Sequence, residues 1–156
     1  MNNNDIFRRL RYIFNLSNDA VKETFALVDK EVHNRNIVVW LKKDDDEEQK
    51  SMPDLELASF LNGLIVRFRG KKEGATPIPE KKLNHNLILR KLKIALSLQA
   101  EEMLEIWAIA KFRLSKHELS AFFRKPTHKH YRICKDQILR NFLQGLALQR
   151  RQNKKK

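Results

Sequence analysis

Four side chains in the last third of the chain, His117, His128, His130 and Cys134, are of types that bind zinc. Their spacing fits no finger arrangement, so no metal site is expected. Asp54 and Asp136 each open a helical stretch, where the positive end of the helix dipole favours a carboxylate without any catalytic duty. The sequence contains neither a glycine-rich phosphate loop nor a nucleophile elbow. The expectation is no enzyme, no cofactor and no small-molecule substrate. What remains is charge. Lys and Arg number 32 against 19 Asp and Glu, a net charge of +13. Residues 1–69 hold 11 basic and 12 acidic side chains, whereas residues 83–156 hold 17 and 5. So uneven a distribution points to an anionic partner for the second half, most simply nucleic acid.

The residues that could make such contacts lie on and around two short helices. Ser115-Lys116-His117-Glu118 reads as a capping box that opens one of them, with Leu119, Phe122 and Phe123 inward and Pro126 ending it. Together with the preceding helix it forms a helix-turn-helix-like pair, although Lys111 and Phe112 stand where such turns often carry glycine. Its expected exposed face is His117, Ser120, Ala121 and Arg124, with Lys116 beside it. Arg90, Lys91, Lys93, Lys116, Arg124, Lys125, Lys129 and Arg132 are the candidate phosphate contacts, and His117 and Ser120 the candidate base contacts. The expected function is therefore a small nucleic-acid-binding, regulatory protein, with DNA and RNA not distinguished. The alternative is a non-enzymatic adaptor for an acidic protein, anchored by Val38, Val39 and Trp40.

These elements occur twice. Residues 84–151 lie over 2–69 without a gap and give 16 identical pairs in 68, among them Asn4/Asn86, Arg8/Arg90, Asp54/Asp136 and Gly63/Gly145. Unrelated sequences would give roughly four. Helical periodicity predicts four helices per copy: about 4–15, one opened by Ser17-Asn18-Asp19 and running to about 30, a short one with Ile37, Trp40 and Leu41 inward, and one started by Pro53 and Asp54 with Leu57, Leu61, Leu64 and Phe68 as its stripe, each with a counterpart in the second copy. No stretch alternates as a strand does. The expected fold is all-α: two four-helix units, 1–69 and 83–152, packed with approximate two-fold symmetry. Between them 70–82 reads as a linker, with Gly70, Gly74, Pro77 and Pro79, and 153–156 reads as a disordered basic tail. Glycine at 63 and 145, mid-helix in both copies, predicts that another helix crosses closely there. The matched loops invert in charge, Asp44-Asp45-Asp46-Glu47-Glu48 against Thr127-His128-Lys129-His130-Tyr131-Arg132.

The polar start, Met1-Asn2-Asn3-Asn4-Asp5, lacks the apolar core of a signal peptide, and no apolar run approaches a membrane span. A cytoplasmic protein without membrane association is expected. The opening Asn2 to Ile6 with Arg8 to Tyr12, the stretch Ala58 to Gly70 and Ile88 to Lys93 resemble the YehS-like bacterial family. So do Ser115 to Pro126 and His128 to Arg132. The resemblance covers nearly the whole chain and implies a tandem pair of a domain of unknown function in a bacterial cytosol. It implies no catalytic or binding residues.

Overall fold

The computed structural model describes residues 1–71 and 76–154; residues 72–75 of the expected linker lie outside the described residues. Eight helices and no strand occur among them: α1 Asn3–Ile13, α2 Asn18–Ala26, α3 Asn34–Leu41, α4 Asp54–Arg69, α5 His85–Ala95, α6 Ala100–Ile109, α7 Lys116–Phe122 and α8 Asp136–Lys154. The chain divides into two compact units, Met1–Leu83 and Asn84–Lys156. At 153 and 154, where a disordered tail is expected, the chain is helical: α8 runs through Lys154, with neither glycine nor proline between Arg151 and Lys154 to stop it; residues 155–156 lie outside the described residues.

Helix starts follow the local sequence. Asn2 caps α1 by accepting from the Asp5 amide at 2.9 Å, and Asp5 accepts from the Asn2 amide in return. Asn84 caps α5 by accepting from the Leu87 amide at 2.8 Å. Ser115 and Glu118 form the expected capping box on α7. The ends of α2 and α6 come earlier than periodicity predicts, and the backbone gives the reason. Asp29 and Lys111 adopt left-handed φ of 59° and 60°. The next amides reach back five residues, Lys30 to the Phe25 carbonyl and Phe112 to the Trp107 carbonyl. This is a Schellman ending in both units. Asn15 and Ser97, each with φ 52°, close α1 and α5 the same way. Thus Lys111 occupies the left-handed place that glycine would take.

The two long helices pack through their glycines. A Cβ at Gly63 would lie 2.2 Å from the Thr24 carbonyl oxygen, and one at Gly145 would lie 2.0 Å from that of Ile106. Thr24 and Ile106 are themselves a matched pair. The crossing expected at these positions is therefore present in each unit, α2 on α4 and α6 on α8.

Each core uses the same four sites with the aromatic rings redistributed. In the first unit Phe7, Phe25, Trp40 and Phe60 form one cluster, with ring centroids 5.0 Å apart for Phe7–Phe60 and 5.5 Å for Phe25–Phe60. Trp40 sits edge-on to Phe7 at 6.1 Å. In the second unit the matched residues are Leu89, Trp107, Phe122 and Phe142, all buried, with Trp107 and Phe142 4.8 Å apart. The indole has moved from the third helix to the second, and total volume is nearly kept, the kind of exchange cores tolerate. The Trp107 Nε1 donates to the Ile138 carbonyl at 2.9 Å, so its polar edge stays satisfied.

Candidate nucleic-acid interface

The candidate site is the end of α7 and the loop that follows it, and a buried asparagine holds both in place. Asn86, on the first turn of α5, donates to the Phe122 carbonyl at 3.0 Å and the Arg132 carbonyl at 2.8 Å. Its Oδ1 accepts from the Cys134 amide at 2.8 Å. One side chain therefore ties the C-terminus of α7 to both sides of the loop's exit. The first unit repeats the bracket: Asn4 donates to the Trp40 and Lys50 carbonyls and accepts from the Met52 amide. The matched pair Asn4/Asn86 carried this signal in the sequence, but a polar residue in a first turn looks like a surface residue until its partners are seen.

The loop then returns across α7. The Arg132 amide donates to the Ala121 carbonyl at 3.2 Å, as the Lys50 amide does to Val39. This corrects two sequence expectations. Ala121 is buried, 3% exposed, so it is not part of an exposed reading face. Val39 is half-buried and Trp40 is in the aromatic core, so of the expected adaptor anchor only Val38 is exposed.

The candidate cations fall into separate groups. Arg90 and Lys93 both converge on Phe123: the Arg90 guanidinium donates to its carbonyl at 2.7 Å, and the Lys93 ammonium lies 4.7 Å above its ring. These two anchor the end of α7, and their positive charge stays beside Arg124. Lys116 pairs with Glu101 at 2.8 Å, a hydrogen bond that holds the Glu101 carboxyl below its ordinary range. Both partners are well exposed, so this pair is weak. Lys125 and Lys129 are exposed and form no ion pair among the described residues. Arg132 is exposed too and acts electrostatically on Glu118. The Glu118 carboxyl is held below its usual range first by the Ser115 amide and hydroxyl, then by Arg132 and His117. Lys91 is half-buried on α5. Ser120, expected to reach bases, is exposed, but its hydroxyl donates to the His117 carbonyl at 3.0 Å.

The three histidines come together, while the cysteine does not join them. His128 and His130 have ring centroids 5.5 Å apart, and His117 and His130 6.3 Å. The His130 amide donates to His128 Nδ1 at 3.0 Å, and Arg124 Nη1 lies 3.4 Å from His128 Nε2. A neutral imidazole has only one acceptor nitrogen. The shorter backbone bond assigns it to Nδ1. Cys134 is buried beneath the loop, and burial pushes its thiol up to about 12, with the Asp136 charge adding to the shift. Among the described residues no group of three or more His, Cys, Asp or Glu is arranged to hold a metal ion.

The recurring acids are structural. Asp54 accepts from the Asn3 side chain at 2.6 Å and from the Leu83 amide at 2.8 Å, tying the end of the inter-repeat segment to the first unit. Thr76 does the same further up by donating to Asp29 at 2.9 Å. Asp136 pairs with Arg140 one turn on, at 3.1 Å. Each unit also has an open groove at the turn after its second helix. One of about 420 Å³ is lined by Lys22, Ala26, Asp29 and Val32, and one of about 290 Å³ by the matched Leu104, Ala108, Lys111 and Leu114. No candidate contact lines either one.

At the same place in the first unit the loop is acidic and draws in a lysine. Lys42 lies 3.5 Å from Asp46 and 3.6 Å from Glu48, and Gln49 donates to Asp44. Arg8 donates to the Lys42 carbonyl at 2.7 Å, in the manner of Arg90, and also pairs with Asp5. No helix among the described residues is long and apolar enough to cross a membrane.

Comparison with known proteins gives the same two-part division. The Escherichia coli (strain K12) protein named "Uncharacterized protein YehS" is 45% identical over 148 residues, which cover 94% of this chain and 95% of that one. No solved structure matches. The family described as "Protein of unknown function (DUF1456)" matches twice, over residues 3–70 and 85–152. Each match falls on one four-helix unit with its asparagine bracket and glycine crossing, and the chain belongs to this family as a tandem pair of its domain.

Proposed function

We propose that the protein is a non-enzymatic, cytoplasmic nucleic-acid-binding protein whose second unit grips phosphate. The helix-turn-helix-like pair α6 and α7 serves as the mount and the 124–132 loop as the grip. One observation carries the reading: on one bracketed scaffold, the first unit's loop is acidic and pairs with Lys42, while the second presents Lys125 and Lys129 exposed and without ion pairs among the described residues. Arg124 and Arg132 flank them, and Arg90 and Lys93 add positive charge at the end of α7. Cations left unneutralised on an ordered surface bind a polyanion by releasing its counterions.

The test is fluorescence anisotropy of labelled oligonucleotides with the full chain at several salt concentrations, with heparin as competitor. Four engaged cations would give a slope of log K against log salt near −4, roughly 0.9 per phosphate neutralised. Lys125→Ala and Lys129→Ala should each weaken binding and reduce that slope by about 1. Lys43→Ala, at the place in the first unit that matches Lys125, should leave both unchanged. Indifference to the loop substitutions, or equal loss with Lys43→Ala, would show that the charge is generic.

A further inference from the structure

We infer that the nucleic acid this loop takes is single-stranded, with the imidazoles of His117, His128 and His130 serving as a platform on which bases stack. The inference rests on the phosphate-binding reading above and adds what the bases do.

The His130 ring lies 5.5 Å from that of His128 and 6.3 Å from that of His117, and all three residues are exposed. Solvent-facing rings held together in this way leave π-faces open to a ligand. The platform is also ordered before binding: His128 is oriented by the His130 amide at Nδ1, and the loop's exit is tied down by Asn86. Cations surround it, with Arg124 against His128 and Lys125 and Lys129 on the same short loop. Aromatic faces interleaved with a cationic track are the means by which unpaired strands are held, since every base has a π-face and only unstacked bases can offer it.

The duplex alternative fits the same surface less well. α7 has seven residues, about 10 Å of helix. Its first turn carries Glu118, a negative charge at the helix start where phosphate would be received. Of the side chains meant to read a groove, Ala121 is buried and the Ser120 hydroxyl already bonds the His117 carbonyl. The first unit has Arg35, Asp46 and Glu48 at the three histidine places, so it has no platform at all.

Four ligands with equal numbers of phosphates separate these contributions: a single-stranded DNA, an RNA of matching sequence, a duplex of half the length, and an abasic strand that keeps the phosphates and lacks the bases. The full chain should bind the two single strands about tenfold or more tighter than the abasic strand, the loss expected when one or two stacked bases are removed. It should also prefer them to the duplex. The RNA and DNA arms show whether the 2′-hydroxyl matters. His130→Ala should erase the difference between normal and abasic strands, whereas His130→Phe, which keeps a ring and removes any charge, should retain it. If abasic strand or duplex binds as tightly as single strand while Lys129→Ala still weakens binding, phosphate gripping stands and the stacking inference falls. If no nucleic acid binds, both fall together.

Discussion

The two units are alike where they are buried and opposite where they are exposed. Asn4 and Asn86 make the same three hydrogen bonds, and Thr24 and Ile106 meet the same glycine. Asp29 and Lys111 share a left-handed turn. Yet the loop held by each bracket is acidic in one unit and basic in the other. The backbone groups that fix the loop belong to positions whose side chains point elsewhere. Charge could therefore invert without a change of fold. The difference at the loops concerns electrostatics and rings, not architecture.

The largest effect should come from the shared part. Gly145→Ala would gain about 1 kcal/mol in helix propensity. Against that stands a Cβ placed 2.0 Å from a carbonyl oxygen, which belongs to backbone and cannot swing aside. Overpacking of this kind costs about 3 kcal/mol or more, so the clash wins. Gly63→Ala should behave alike, and thermal melts of the two variants should show losses of similar size. A near-neutral melt at either site would break the equivalence of the crossings.

Next comes the bracket. Asn86→Ala leaves two carbonyls and one amide without their partner and should cost about 2–3 kcal/mol by denaturant titration. Asn4→Ala should cost about the same. If Asn86→Ala also abolishes binding while helix content is kept, the bracket positions the loop; unchanged binding would show that the loop orders itself.

A transplant then addresses the difference directly. Replacing residues 44–50 by the residues of 126–132 puts three imidazole- or cation-bearing positions on the first unit's bracket, His128, Lys129 and His130, with Tyr131 and Arg132 behind them. In a background of Lys125→Ala and Lys129→Ala, this full-length variant should recover about tenfold in oligonucleotide affinity, equivalent to roughly 1.4 kcal/mol. No recovery would mean that residues outside the loop matter more than the comparison implies. The smallest effect concerns the turn. Lys111→Gly relieves a left-handed lysine and should stabilise by at most about 1 kcal/mol, since glycine's greater unfolded-state freedom offsets part of the gain. Asp29→Gly should gain less, because aspartate tolerates that conformation better.

Much of the buried architecture was legible in the sequence, for identifiable reasons. The 82-residue offset, the Ser115–Glu118 box and the mid-helix glycines are signals with local causes, and the helices they predicted are present. Ala121 and Val39 were misplaced because α7 and α3 are short, seven and eight residues, so the face of a residue depends on what returns across the helix. That covering is a tertiary hydrogen bond, Arg132 to Ala121, which periodicity does not encode. The Schellman endings were missed because Asn15, Asp29, Ser97 and Lys111 are not glycine. Among the candidate cations, Arg90 and Lys125 read alike on paper. Only the fold shows that one is fastened to the Phe123 carbonyl and the other stands free of ion pairs among the described residues.

The glycine crossings carry a mechanical consequence. Where glycine leaves no room for a Cβ beside a facing carbonyl, the two backbones interlock like teeth on a rack. Sliding α6 along α8 would drive Ile106 into the neighbouring side chains on either side of Gly145, so that pair resists shear. Compliance in the second unit is left to α7 and the loop after it, the shortest helix and an irregular segment fastened at its exit. A strand landing on the imidazoles would flex that end alone, while the long helices stay in register.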